Sequence, residues 1–521
     1  MEIYDTTLRD GTQSRDVNLT VHDKLTFAKA LDDFGMDYIE LGWPGSNEKD
    51  EECFRRVREL GLKARIAAFG STRRRGISAE DDPNLKAITS SGAKTATIFG
   101  KSWLVHVQKQ LRMSPEENLA AIKESIVFLK SHGLEVIFDA EHFFDGYMQD
   151  GHYSLNCLEA ASEARCIVLC DTNGGMMPDK MLDIVRKVKE FFKKQGISPK
   201  LGIHCHNDSG CAVANTLLVA DLVDHIQGTV NGCGERAGNA DLCSILPALA
   251  LKKGYELDIK LKGLKRLSDL LNSLANIRPN DSLPYVGRNA FSHKAGIHAD
   301  GLAKEARYEH ISPETVGNQQ EIVLSDLSGA ANVLKTLQGF GIKASKKDPK
   351  VRAMLSEIKE LEMLGYDIGS IEAEKYLLAA KHFLAEKSLF GIDDFKIMSL
   401  RRDGNDYSEC VITGKVDGEE RQVIAPVKGE KGGPVHASYY ALQKFIATNH
   451  KKIMGVRLLN YKVRIAESKG AESSVRVYVE YKDNGCRWAT VGVNTNILKA
   501  SLEAIEKGFH YYLLRQNKKA T

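Results

Sequence analysis

The sequence predicts an α/β protein: a (β/α)8 (TIM) barrel, then helical linker subdomains, then a C-terminal α+β domain with an internal duplication. Three observations carry this. Up to about residue 255, eight short apolar runs alternate with amphipathic stretches of helical length, the pattern of βα units around a parallel sheet. Polar motifs follow directly on most of these runs, where a barrel places its active-site loops. Beyond residue 396, a hairpin-and-helix pattern occurs twice in the same order, as an internal duplication does.

The eight runs are Ile3 to Leu8, Tyr38 to Trp43, Ala64 to Gly70, Thr95 to Gly100, Leu134 to Ala140, Cys166 to Asp171, Leu201 to His206 and His225 to Gly232. Helix starts lie between them. Thr20 with Asp23, and Ser114 with Pro115 and Glu117, each predict a capping box. An open doubly wound sheet is the alternative, but it would need a glycine-rich phosphate turn after the first strand, and Asp10-Gly11-Thr12-Gln13 is not one.

Residues 256–395 read as helical and loop-rich, with chemically active side chains concentrated between Pro279 and Gly317: His293, His298, Tyr308 and His310. From 396 to 521, Cys410 to Val416, a turn at Asp417-Gly418, Arg421 to Val427 and a helix from about Val435 are echoed. The echo is Val475 to Tyr481, Asn484-Gly485, Arg487 to Val493 and a helix from about Ile497. Asp-Gly and Asn-Gly between alternating segments are hairpin turns. The predicted domains are therefore 1–255, 256–395 and 396–521.

Composition narrows the function classes. Lys plus Arg (72) nearly balances Asp plus Glu (69), so the whole-chain field does not favour nucleic acid. No apolar run is long enough to span a bilayer, and the start Met1-Glu2-Ile3-Tyr4-Asp5 lacks the basic and apolar regions of a signal peptide, so a cytoplasmic protein is expected. Ten scattered cysteines without a CxxC pair read as reduced packing thiols.

The chemistry gathers at the run ends. In His204-Cys205-His206 the strand alternation puts both imidazoles on one side, where they can share an ion. Asp10 ends the first run, and in a closed barrel it lies near the seventh. A carboxylate with two imidazoles suits Zn²⁺, Mn²⁺ or Co²⁺. Arg9 is either a salt-bridge partner beneath the barrel or, if the chain turns at Gly11, a functional group. Glu141 is a partner for Arg9, an acid/base group or a solvated carboxylate. Thr172 is a carboxylate anchor or a helix cap.

Asp5-Thr6-Thr7-Leu8-Arg9-Asp10-Gly11-Thr12-Gln13, His204-x-His206-Asn207-Asp208 and Asn231-Gly232-Cys233-Gly234-Glu235-Arg236-Ala237-Gly238-Asn239 resemble the signatures of metal-dependent Claisen-condensing enzymes, the isopropylmalate, homocitrate and citramalate synthases. The segments 39–47, 98–103 and 139–146 are most similar to the citramalate branch. The duplicated C-terminal region, with Gly432-Gly433-Pro434-Val435 and Gly492-Val493-Asn494-Thr495-Asn496-Ile497, resembles the family's amino-acid-binding domain.

The resemblance implies Asp10, His204, His206 and Asn239 as ligands of a divalent ion (Zn, Mn, Co or Mg), Arg9, Gln13 and Thr172 as substrate-binding, and Arg9, Glu141, His298 and Tyr308 as catalytic, with His293 the rival of His298. It implies acetyl-CoA as co-substrate, a 2-oxo acid acceptor, isoleucine or leucine as effector, and a homodimer whose linkers enter the partner's barrel. Pyruvate as acceptor would give (R)-citramalate toward isoleucine, and 2-oxoisovalerate would give 2-isopropylmalate toward leucine. A lyase or aldolase on the same barrel and a non-catalytic amino-acid sensor are further alternatives. Two departures stand out: Ser14-Arg15-Asp16-Val17 where small residues are expected, and His436 where the regulatory motif has Asp or Asn.

Overall fold

The computed structural model describes residues 1–293, 309–322, 324, 328–384, 389–402, 405–428, 433–467, 472–483 and 485–520. The eight runs form eight parallel strands, β1 (Glu2–Asp5), β2 (Tyr38–Gly42), β3 (Arg65–Ser71), β4 (Thr95–Lys101), β5 (Glu135–Glu141), β6 (Cys166–Asp171), β7 (Lys200–Cys205) and β8 (His225–Gly228). They close in sequence order, with β1 pairing both β2 and β8, which rules out the open sheet. Tyr4, Tyr38, Ala67, Ile137, Cys166, Val168 and Cys170 fill the barrel interior as one buried cluster. The larger core lies between strands and helices. Strands buried on both faces are continuous apolar runs, which is why their positions were readable.

Two local expectations need correction. The first run is not one strand: β1 stops at Asp5, whose carboxylate accepts from Thr7 N (3.0 Å) and Thr7 Oγ1 (2.8 Å) and folds the chain over before Arg9. The turn thus precedes Gly11. At Thr20 the capping box is complete, with Asp23 N donating to Thr20 Oγ1 and Thr20 N to Asp23 Oδ2. Ser114 caps Pro115–Ser131, but Glu117 Oε1 accepts from Gly76 N (3.1 Å) rather than from the cap residue.

The chain divides into two compact units, residues 1–291 with 311–319 and residues 292–310 with 320–521. The helix Leu264–Leu274, beyond the expected boundary at 255, buries Leu264, Leu267 and Leu271 in the barrel's core. In the second unit, Ser292–His293 (β9) and Glu321–Ile322 (β10) pair in parallel. The helices Ala330–Gly339, Pro349–Met363 and Glu372–Phe383 follow.

The duplication is present, with three strands per repeat rather than two. β11 (Phe390–Arg402), β12 (Asn405–Val416) and β13 (Glu419–Lys428) precede the helix Pro434–Ala447. β14 (Arg457–Glu467), β15 (Ser474–Asp483) and β16 (Cys486–Asn494) precede Ile497–Ala520. The expected boundary at 396 falls inside β11. Both unanticipated strands carry register shifts, at Ile392/Asp394 and at Leu458/Asn460 and Ile465/Glu467, which break the alternation that marks a strand in sequence. Among the described residues, no helix is long and apolar enough to cross a membrane.

Candidate active site

The site is built at the C-terminal ends of the barrel strands. The turn after β1 is pinned on two sides: Thr6 Oγ1 donates to Glu40 on β2, and Val230 N, just beyond β8, donates to Thr7 Oγ1 (2.8 Å). This brings Asp10, 2% exposed, against the end of β7. Asp10 Oδ2 lies 3.4 Å from His204 Nε2 and 3.8 Å from His206 Nε2, and the two ring nitrogens are 3.3 Å apart. These three are the one metal-competent cluster of its kind found among the described residues.

The electrostatics fit a cation. Burial opposes the Asp10 charge, but Arg9 and the two imidazoles outweigh it and hold the carboxyl below its ordinary range. Burial, with His204 beside it, pushes His206 down to about 3 and keeps that ring neutral, a lone-pair donor. His206 pairs across an isolated bridge with Asn239, whose buried Oδ1 has no hydrogen-bond partner, nor does His206 Nδ1. Two imidazole nitrogens, a carboxylate and an unsatisfied carbonyl oxygen in a dry site are the donor set of a divalent ion.

Behind His204 lies an arrangement the sequence reading missed. His204 Nδ1 sits 3.0 Å from Gln227 Oε1 on β8, and Gln227 Nε2 donates to Asp139 Oδ1 on β5 (3.1 Å). Burial opposes a charge on His204, but Asp10 at Nε2 outweighs it and raises the ring above its ordinary range; with a divalent ion in place, Gln227 accepting at Nδ1 would leave Nε2 as the lone pair for it. Asp139 is pushed up to about 7 by burial and then by Glu40. Gln227 could have been noticed as an amide in a strand with no exposed face.

Of the alternatives for Glu141, the pairing with Arg9 is not formed. Arg9 Nε lies 2.6 Å from Glu40 Oε2, and Tyr4 Oη donates to the other oxygen of Glu40 (2.6 Å). Glu141 instead lies 2.6 Å from Lys101 Nζ, at the neighbouring strand end. The physical reason is the early turn: it directs Arg9 inward over β2, where Glu40 is fully buried. Arg9 also stacks on Phe69, 3.7 Å from guanidinium carbon to ring centroid. Phe69, Phe99 and Trp43 form an aromatic wall, Phe69 stacked on Phe99 at 5.4 Å and Trp43 edge-on to both.

Thr172 follows β6, and its Oγ1 accepts from His142 N (2.8 Å). It caps no helix, since the next one begins at Pro178 with Met177 before it. His142, next to Glu141, holds a left-handed backbone (φ +56°), a strain typical of functional loops. Gln13 is exposed at the end of the short turn after Asp10. His298 and Tyr308 lie outside the described residues. His293 is described, with Nε2 3.1 Å from Glu309 Oε1, in the second unit.

Comparison with known proteins decides the family. The sequence model of the HMGL-like family matches residues 1–271, more than half of the chain. The chain belongs to the HMGL-like family. Residues 285–364 match the homocitrate synthase post-HMGL domain-like family, and 371–513 match the LeuA allosteric (dimerisation) domain. The chain is 44% identical over 523 residues to the (R)-citramalate synthase of Geobacter sulfurreducens, covering 98% of this chain and 97% of that one. It is 42% identical to the (R)-citramalate synthase of Aquifex aeolicus, covering 98% of each. To a probable 2-isopropylmalate synthase of Methanosarcina acetivorans it is 31% identical, covering 96% and 93%.

Proposed function

We propose that this chain is an acyltransferase that condenses acetyl-CoA with pyruvate and water to give (R)-citramalate and free CoA. The observation that carries this is the 39–44% identity, over 98% of the chain, to five (R)-citramalate synthases.

Asp10, His204, His206 and Asn239 would hold a divalent ion, and the chemistry such an ion would supply there is Lewis-acid polarisation of the acceptor's ketone. The Arg9 guanidinium, anchored by Glu40, faces the ketone oxygen and stabilises the negative charge that develops there when the new C–C bond forms. Thr172 and Gln13 bind the acceptor, Thr172 through its hydroxyl to the carboxylate. Glu141, with His298 and Tyr308, takes the proton from the acetyl-CoA methyl group. Water then cleaves the thioester and CoA leaves as the thiol.

The aromatic wall of Trp43, Phe69 and Phe99 beside Arg9 offers an apolar surface against which the methyl group of a small acceptor could close. One methylene in such a pocket is worth only about 1–3 kcal/mol, so discrimination should be strong but incomplete. The match at residues 371–513 supports a homodimer with amino-acid control, and isoleucine is the effector that suits a pyruvate-consuming enzyme.

The test follows CoA thiol release with Mn²⁺ or Zn²⁺, comparing pyruvate, 2-oxobutyrate, 2-oxoisovalerate and 2-oxoglutarate, with and without isoleucine. A tenfold or greater preference for pyruvate is expected. Preference for 2-oxoisovalerate would move the chain to 2-isopropylmalate synthesis, and no release with any acceptor would overturn the condensation.

A further inference from the structure

The two sheets of the duplicated domain are built alike but charged differently. In the second sheet, the β15 side chains of Val477, Val479 and Tyr481 are fully buried, and Tyr481 Oη donates to Ala504 O of the helix Ile497–Ala520. Alternation turns Arg476, Tyr478, Glu480 and Lys482 to the opposite face. The register places Arg457 and Arg487 beside Lys482, Asn460 and Ala489 beside Glu480, Lys462 and Val491 beside Tyr478, and Arg464 and Val493 beside Arg476. These four rows hold six cations and one carboxylate.

The corresponding face of the first sheet is mixed. Its four rows across Glu409, Val411, Thr413 and Lys415 hold two cations, Lys396 and Lys415, against three carboxylates, Asp394, Glu409 and Glu420. The cationic face is therefore not a requirement of the fold.

Such a face is costly to keep. Like charges directly opposite on neighbouring strands are destabilising. Arg457 and Lys482 are such a pair, both exposed, and Arg487 on the other side of Lys482 is only loosely paired, 3.9 Å from Glu480. At this end of the sheet lies a cavity of about 690 Å³ lined by Arg457, Lys482 and Lys452, with Tyr512, Gln516 and a single carboxylate, Asp483. Asp483 is engaged by Tyr512 Oη at 3.1 Å. The volume is that of a small-molecule site. With Asp483 offsetting one of the three lining cations, one carboxylate ligand would still leave a cation unmatched, whereas a phosphate group carries up to two charges and several acceptor oxygens and is matched by Arg and Lys together.

We propose that this cavity binds a phosphate-bearing small molecule, with Arg457, Lys482 and Lys452 as its anchors. The site is independent of the condensation reaction and lies in the other compact unit from the metal-competent cluster.

The test titrates the full chain with inorganic pyrophosphate, by calorimetry at 0.15 M salt, and repeats it with Arg457→Gln, Lys482→Gln and Arg464→Gln. One saturable site per chain is expected, weakened at least tenfold by either of the first two substitutions and less than twofold by Arg464→Gln, which is on the same face but outside the cavity. Pyrophosphate should raise the melting temperature of the wild-type chain and not that of Lys482→Gln. In the absence of ligand, both cavity variants should melt no lower than wild type, because each removes a like-charge opposition. Absence of a saturable site overturns the proposal, and so does an equal loss in Arg464→Gln, which would mean diffuse attraction to the whole face. Lower ligand-free melting temperatures for both cavity variants also overturn it, since the cations would then be held by contacts within the chain.

Discussion

The two ends of the barrel gather similar residue types to opposite effect. At the base, where the strands begin, Glu2 meets Arg165 (2.7 Å) and Lys200 (2.9 Å), and Glu135 meets Arg165 (2.5 Å), with Arg65 within 4 Å of both carboxylates. Three cations answer two acids. At the mouth, Asp10, Glu40 and Asp139 surround Arg9; burial opposes a charge on His204 but Asp10 outweighs it and raises that ring, while burial keeps His206 neutral. Even with Asp139 pushed up to about 7, the charge balance there rests on the proton of a buried imidazole, His204, rather than on a surplus of fixed cations as at the base. A buried site whose carboxylate and imidazoles sit beside polar atoms with no partner, Asn239 Oδ1 and His206 Nδ1, is completed from outside the chain. The base therefore reads as stability and the mouth as chemistry, as barrel geometry leads one to expect.

The sharpest break between the two ends is removal of a ligand. His204→Ala or His206→Ala should lower kcat/KM by about a thousandfold or more and abolish stoichiometric metal retention, measured by elemental analysis after gel filtration. Arg165→Gln at the base should leave both readouts near wild type while lowering the melting temperature. A base variant that lost metal, or a ligand variant that kept it, would erase the distinction.

Next in size is the Arg9 anchor. Glu40→Gln keeps the shape of the side chain but removes the charge at 2.6 Å from Arg9 Nε, and a guanidinium displaced by an ångström costs on the order of a hundredfold. We expect kcat to fall by about 10–100-fold with little change in metal content. Gln227→Leu should do the reverse in part. It frees the His204 ring to turn and weakens metal affinity by about 10–100-fold, read by competition with a chromogenic chelator.

These two residues also mark where sequence reasoning runs out. The strand positions were legible because a strand buried on both faces has no polar alternation to confuse, and β6 was placed at Cys166–Asp171 without error. Asp10, His204 and His206 were legible because each ends or follows a run, and topology alone brings β1 and β7 around one mouth. Glu40 and Gln227 lie inside strands, where an acid or amide reads as an exception. Only the closed register, with Asp5 opposite Ile39, shows that Arg9 reaches Glu40 rather than Glu141. In the C-terminal domain, β11 and β14 escaped because their bulges shift the apolar period by one residue part-way along.

The smallest expected effect belongs to the base, and its pH dependence identifies it. Burial raises the Glu2 carboxyl, but His225, Lys200 and Arg165 outweigh burial and lower it from 4.5 to about 2. A carboxylate depressed in the folded state contributes stability that is fully present above its unfolded value and is lost as pH falls through the folded one. The loss should therefore fall between about pH 4.5 and 2. Because Glu2 remains partly solvated, the contribution at pH 7 is about 1–2 kcal/mol. Glu2→Gln should lower stability by that amount at pH 7 in urea titrations, flatten the acid limb between pH 4.5 and 2, and leave kcat unchanged. A pH-independent loss would mean that the three cations are held by packing rather than by the Glu2 charge.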